Sequence, residues 1–241
     1  MIKDNIKIYK DLTALSEGFT RFLTDTVIKR NSQPNIALSG GSTPKVIFEY
    51  WSKNYSKALP WDRMKLFWGD ERCVPPHDSM SNYGMTKDLL IDKVDILPNN
   101  IFRIHGESEP HEEAQWYSEV LTDHLPVENG IPVFDLVMLG LGDDGHTVSI
   151  FPDQIQLWYD DRLCIVTHHP ESGMERVSIT GKVINNARNV AFLVTGKSKA
   201  EKVKEIIQNR SDFEAKYPAA LVTPASGEIV WFMDEAAASL L

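Results

Sequence analysis

Cysteine is scarce in this chain: Cys73 and Cys164 are the only two in 241 residues. Two distant thiols make no disulfide framework and offer no zinc-ligand spacing, so reduced thiols in a cytoplasmic protein are expected. Long apolar runs are missing as well. No stretch approaches the roughly 18 consecutive apolar residues that cross a bilayer. The start, Met1-Ile2-Lys3-Asp4-Asn5, carries no apolar segment of signal-peptide length. Basic residues are outnumbered, 25 Lys and Arg against 34 Asp and Glu, for a formal net charge of -9. Such a surface repels a phosphate backbone, which argues against a nucleic-acid partner. A small anion remains admissible where Arg, Lys and backbone N–H groups gather locally. Internal repeats and low-complexity linkers are also lacking, so residues 1–241 are read as one domain.

What the chain does have is alternation. Short apolar runs at Asn35–Ser39, Met64–Trp68, Phe134–Leu139, Leu163–Thr167, Val190–Thr195 and Ile229–Met233 are separated by segments with helical spacing. Near-continuous apolar runs predict strands buried on both faces, as in a parallel sheet. Leu12, Leu15, Phe19, Phe22, Leu23, Thr26 and Val27 make one helical stripe, and Val46, Ile47, Tyr50 and Trp51 make another. Glu112–Leu125 and Lys199–Gln208 are further predicted helices, while Asp153–Asp161 and Asn209–Pro218 read as polar connections. The pattern predicts an α/β fold, a doubly wound and mostly parallel sheet with helices on both faces. Right-handed crossovers then place a ligand at the carboxyl ends of the strands.

Four of those strand ends carry polar turns. Ser39-Gly40-Gly41-Ser42-Thr43-Pro44 follows one buried run and opens a helix. Its glycines permit a tight turn, Thr43 is placed to cap the helix and Pro44 to fill its first position. Free N–H groups, the helix dipole and hydroxyls converge there, which suits a phosphate monoester. Gly140-Leu141-Gly142-Asp143-Asp144-Gly145-His146 follows another run. As G-x-G-x-x-G it matches a dinucleotide fingerprint, but it lies mid-chain and sets two carboxylates where a pyrophosphate would sit, so that reading is set aside. His146, beside those carboxylates in a glycine-bent loop, is instead a candidate general base near neutral pH.

Gly69-Asp70-Glu71-Arg72 adds Arg72 as a donor to an oxyanion or phosphate. Thr195-Gly196-Lys197-Ser198 looks like the tail of a P-loop, but Ala191 stands where its first glycine belongs, so no triphosphate site is expected. Lys197 and Arg176 remain candidates to add positive charge to a phosphate pocket. Pro75–Tyr83, rich in turn formers, is predicted to be an active-site loop. The neighbours His168 and His169 would face opposite ways on a strand and cannot chelate one metal. Trp231 and Phe232 are assigned to the core.

Taken together, several segments resemble the 6-phosphogluconolactonase family. They are Ala37–Pro44 (ALSGGSTP), Phe67–Pro75 (FWGDERCVP), Ser81–Met85 (SNYGM), Gly140–Pro152 (GLGDDGHTVSIFP), Phe192–Ala200 (FLVTGKSKA), Pro218–Val222 (PAALV) and Trp231–Ala237 (WFMDEAA). They stand in the family's order and span nearly the whole chain. The family pattern G-H-T-A-S-L-F-P is kept with Val148 for Ala and Ile150 for Leu, both apolar changes. The resemblance implies a sugar-phosphate isomerase-like fold, shared with glucosamine-6-phosphate deaminases. Those deaminases also carry a D-G-H turn but follow it with a segment ending N-E-P, where this chain has Ser149-Ile150-Phe151-Pro152.

The implied reaction is hydrolysis of 6-phospho-D-glucono-1,5-lactone to 6-phospho-D-gluconate, the lactonase step of the oxidative pentose phosphate pathway. The implied site has the phosphate on Ser39, Gly40, Gly41, Ser42 and Thr43, helped by Lys197 and Arg176. His146 is the base, Arg72 holds the oxyanion, and Asp70 or Asp144 orients the imidazole. No metal or organic cofactor is called for, because a lactone is already an activated ester. The expected partner is the small phosphorylated lactone, with neither nucleic acid nor membrane, and the expected state a cytoplasmic monomer. The rivals are an amino-sugar-phosphate deaminase or isomerase and a non-catalytic sugar-phosphate sensor.

Overall fold

The computed structural model describes residues 3–226 and 228–241. In chain order its strands are β1 (Lys3–Tyr9), β2 (Asn35–Leu38), β3 (Lys65–Trp68), β4 (Asp70–Arg72), β5 (Ile101–Phe102) and β6 (Val127–Glu128). They continue with β7 (Ile131–Pro132), β8 (Leu136–Leu139), β9 (Cys164–His168), β10 (Glu175–Ile179), β11 (Val190–Val194) and β12 (Glu228–Asp234). The helices are α1 (Leu12–Phe22), α2 (Ser42–Asn54), α3 (Asn82–Leu89), α4 (Pro110–His124), α5 (Gly181–Asn185) and α6 (Ala200–Phe213).

Seven strands form one sheet in the order β1-β12-β11-β8-β2-β3-β5, and every neighbouring pair is parallel. All residues of β2, β8 and β11 are buried, as strands covered on both faces must be. Helices supply that cover. Phe232 packs on Phe19 and Phe22 of α1, whereas Trp231, the next residue and so on the opposite face, donates to Asp4, which pairs with Arg210 of α6. α1 and α6 therefore lie on opposite sides of the sheet. Asp11 caps α1 by accepting from Ala14 N at 2.8 Å, and the helix runs on through Ile28 in one wider turn.

The strand order reverses between β2 and β8. The chain leaves β2 outward to β3 and β5, then returns to β8 on the other side of β2. Loops leaving these two adjacent strands diverge and open a crevice, the place where open α/β sheets take ligands.

Three expectations need correction. The run Leu163–Thr167 is not in the parallel sheet. As β9 it hairpins onto β10, closed by His169 N to Met174 O at 2.9 Å, and a second sheet of order β4-β10-β9 results, antiparallel throughout. Burial alone cannot distinguish the two sheets, because β9 is also covered on both sides. Asp153–Asp161, read as a connection, falls mostly within the 3₁₀ segment Pro152–Tyr159, which kinks at Gln154 and is anchored by buried Trp158 over Gly181, where an added Cβ would meet the indole at 2.3 Å. Asn209 is a kink inside α6 rather than its end. β1 was not expected. As the edge strand it has no fully buried residue, so it carries no continuous apolar run to mark it.

α4 starts at Pro110, with Glu109 accepting from Glu112 N at 2.7 Å. In its first turn Glu113 is 4% exposed and accepts from His105 N at 2.6 Å. Burial raises its carboxyl to about 7, against the lowering hydrogen bond from His105 and the charge of Arg103. Between pH 4.5, the ordinary value, and about 7 the folded chain holds a proton that the unfolded chain has lost. Stability is therefore greatest below this window and falls as pH rises through it. Glu113→Gln should flatten the dependence of Tm on pH across that window. A variant profile as steep as the parent's would remove Glu113 as its source.

Candidate active site

A cavity of about 260 Å³ occupies the crevice between β2 and β8. One wall is Ser39-Gly40-Gly41-Ser42-Thr43-Pro44, which leaves β2 and opens α2. Gly41 takes the cap position with φ 100°, a left-handed conformation that glycine adopts without a Cβ penalty. The helix begins at Ser42, so Thr43 lies inside it and does not cap it. The Thr43 hydroxyl is instead spent on Thr195 Oγ1, 2.7 Å away at the end of β11, and Pro44 stands third in the helix.

The facing wall is the loop after β8. Ser39 Oγ would lie 3.9 Å from a Cβ on Gly140, so the two loops nearly touch. His146 lines the cavity, and its Nδ1 is 2.6 Å from Asp144 Oδ1, which also accepts from His146 N at 3.0 Å. Burial raises the Asp144 carboxyl, but the hydrogen bonds and charge of His146 outweigh it and hold it at about 2. An ionised carboxylate only accepts, so the neutral ring carries its proton on Nδ1 and leaves Nε2 as a base. The loop folds so tightly that a Cβ on Gly142 would sit 2.1 Å from His146 Nδ1. Of the two carboxylates expected to orient the imidazole, Asp144 is therefore the one in contact. Asp70 lines the cavity too, but its Oδ2 accepts from Ser149 Oγ at 2.6 Å.

The floor carries two guanidinium groups. Arg72 on β4 stands directly opposite Arg176 on β10, so both side chains project to the same side, into the cavity. Arg72 Nη1 donates to Met80 O at 2.6 Å, in the predicted Pro75–Tyr83 loop. The Nε atoms of both arginines are buried with no hydrogen-bond partner among the described residues. Burial, foremost, and the charge of Arg72 pull the Arg176 pKa down, while Asp70 holds it up. Phe151 underlies both parts of the site, its ring 4.7 Å from that of His146 and 5.3 Å from Arg176 Cζ.

Lys197 is the expectation the structure does not support. It is exposed and absent from the cavity lining, whereas Lys199 lines it and pairs with Asp143 at 2.9 Å. The two residues belong to one 3₁₀ turn, in which each step rotates the side chain by about 120°, so only one of them faces inward. Sequence reasoning also passed over Asn82, which lines the cavity and donates to Asp70 O at 2.9 Å. Its neighbour Ser81 caps α3, and that S-N-Y-G run was the available signal. Buried Glu71 accepts from Arg72 N, Asn82 N and Tyr83 N within 2.8 Å and from Ser81 Oγ at 3.0 Å, tying α3 to β4. Val148 lines the cavity with φ 46°, a strained conformation for a β-branched residue.

Comparison with known proteins bears on the fold and the family. A 6-phosphogluconolactonase of Haemophilus influenzae is 44% identical over 212 residues, 88% of this chain and 89% of that protein. The structure of 6-phosphogluconolactonase from Trypanosoma brucei superposes with a TM-score of 0.90 at 28% identity, covering 100% of both chains. A monomeric glucosamine-6-phosphate deaminase, 20% identical, shares the fold, with a TM-score of 0.81 over 98% of this chain and 100% of that one. The model of the glucosamine-6-phosphate isomerases/6-phosphogluconolactonase family matches residues 12–231. With the parallel sheet, the crevice at its switch point and the Asp-Gly-His turn in place, the chain belongs to that family.

Proposed function

We propose that this chain hydrolyses 6-phospho-D-glucono-1,5-lactone to 6-phosphogluconate, with His146 as general base. The observation that carries the reading is that one cavity holds the His146–Asp144 pair, the turn Ser39–Thr43 and the two guanidiniums. The phosphate docks on the N–H groups of that turn and the hydroxyls of Ser39 and Ser42, with Arg176 beside it. Docking holds the lactone carbon near the imidazole and supplies the entropy of positioning in advance. His146 Nε2 takes a proton from water as its oxygen bonds to C1. The carbonyl electrons move to oxygen, and Arg72 stabilises that oxyanion. As the intermediate collapses, the C1–ring-oxygen bond breaks and the imidazolium returns its proton to the leaving oxygen. The curated relative and the Trypanosoma structure carry the lactonase name, and the deaminase likeness, at 20% identity, bears on fold alone.

Freshly prepared lactone, with acid release followed against spontaneous hydrolysis, tests the reading; ammonia release from glucosamine 6-phosphate would mark the deaminase instead. Arg72→Ala should lower kcat about a hundredfold, since its donor is needed most in the transition state. Ser42→Ala should mainly raise KM. Interchanged effects would overturn this division of labour. The reading includes a monomer acting in the cytoplasm without nucleic acid, and gel filtration at working concentration checks the first part. No helix among the described residues is long and apolar enough to cross a membrane.

A further inference from the structure

Arg176 is 7% exposed, yet among the described residues its side chain hydrogen-bonds to a serine and not to a carboxylate. Among the described residues its one side-chain hydrogen bond runs from Nη1 to Ser149 Oγ, at 3.2 Å. The Ser149 hydroxyl in turn donates its proton to Asp70 Oδ2 at 2.6 Å. A serine is thus interposed between a buried cation and the anion nearest in kind. The distinction matters chemically. A direct Arg–carboxylate pair is bidentate and uses up the guanidinium fork. A single contact through a hydroxyl leaves most of the N–H donors free, Nε among them.

Ser149 is well placed for this duty. It is fully buried and does not line the cavity itself. Its backbone N donates to Ser178 Oγ at 3.3 Å, and Ser178 is the register partner of Asp70 across the β4–β10 pair. On the other side of Val148, the Thr147 hydroxyl is tied to Gly140 O at 2.9 Å. Residues 147 and 149 are therefore both fastened, which is what keeps Val148 in its left-handed conformation. The same loop carries His146, so Ser149 links the imidazole's loop to the arginine pair.

We propose that Ser149 is a positioning residue: by standing between Asp70 and Arg176 it keeps the Arg176 guanidinium aimed at the substrate phosphate and free to bind it. This rests on the lactonase reading above, but it has its own test. Ser149→Ala removes the intermediary, leaving Asp70 and Arg176 to turn toward each other or stay unsatisfied. KM for the lactone should rise about tenfold, as expected for one hydrogen bond to a charged group, with kcat nearly unchanged. Ser149→Cys, almost the same in shape but a weak donor, should fold and show a smaller rise of the same kind. In an Arg176→Ala background, Ser149→Ala should add nothing, because its effect passes through that side chain.

Calorimetric titration with inorganic phosphate separates the inference from the lactonase reading. Wild type should bind phosphate and Ser149→Ala should bind it about tenfold more weakly, whatever the turnover. Full additivity with Arg176→Ala would show a merely structural serine and overturn the proposal. So would an unchanged KM in the Ala and Cys variants, a loss confined to kcat, or a wild type that does not bind phosphate. A wild type that binds phosphate through Ser149 and Arg176 but opens no lactone would sink only the lactonase reading.

Discussion

His146→Ala should lower kcat about a thousandfold, with KM almost unmoved. The ring is the only group of the Asp144-bearing loop that offers a neutral basic nitrogen. Its Nδ1 is engaged by Asp144 at 2.6 Å, so Nε2 is the nitrogen left for the proposed role. The surrounding turn, guanidiniums and hydroxyls would survive the substitution, and the substrate would still dock. What disappears is the acceptor for the water proton and the acid that later protonates the ring oxygen. Both protons then have to travel through solvent. Residual catalysis from positioning and from Arg72 should stay above the spontaneous rate. A variant with full activity would refute the assigned base.

Asp144→Asn should cost about a hundredfold or more in kcat while leaving the fold intact. The carboxylate is ionised down to about pH 2, so throughout the working range it only accepts. An amide has both an acceptor and a donor face. When the donor faces Nδ1, the ring's proton shifts to Nε2 and the base is lost. The other amide orientation keeps a working tautomer, so the loss should be smaller than that from His146→Ala. The folded value lies below the ordinary carboxylate value of 3.8, so the stability Asp144 adds is present above that value and is lost as pH falls toward 2. Equal kcat in Asp144→Asn and wild type would mean that the contact orients nothing of consequence. Measurement of Tm at neutral pH guards against an unfolded variant.

The parts of this molecule that were readable in advance share one property: their signal is local. β2, β8 and β11 are continuous apolar runs because they lie under helices on both faces, and the turns that follow them, dense in glycine and polar groups, line the cavity. His146 was legible for the same reason. The parts that were not readable depend on a partner remote in sequence. β1 looks like a polar stretch until β12 pairs with it. Whether β9 belongs to the main sheet is decided by β10, not by its own residues. Thr43 has the right chemistry for a cap, but Thr195, which claims its hydroxyl, lies 152 positions away. Lys197 and Lys199 are separated by the phase of a single turn. Ser149 was visible only as one letter of a family segment, since its contacts with Asp70 and Arg176 come from residues 79 and 27 positions away.

Gly142 marks the site from within its loop. It is not among the residues with positive φ, so the backbone there makes no demand for glycine. What stands in the way of a side chain is the His146–Asp144 pair, whose ring and carboxylate fill the space a Cβ would need. The bar to a side chain at this position comes from the site's own groups rather than from a left-handed backbone. A related chain that had exchanged this glycine for a bulkier residue could still form the sheet and the phosphate turn, but its histidine would be pushed off Asp144. Such a chain would be a receptor for phosphorylated sugars rather than a catalyst, and this one position would give it away.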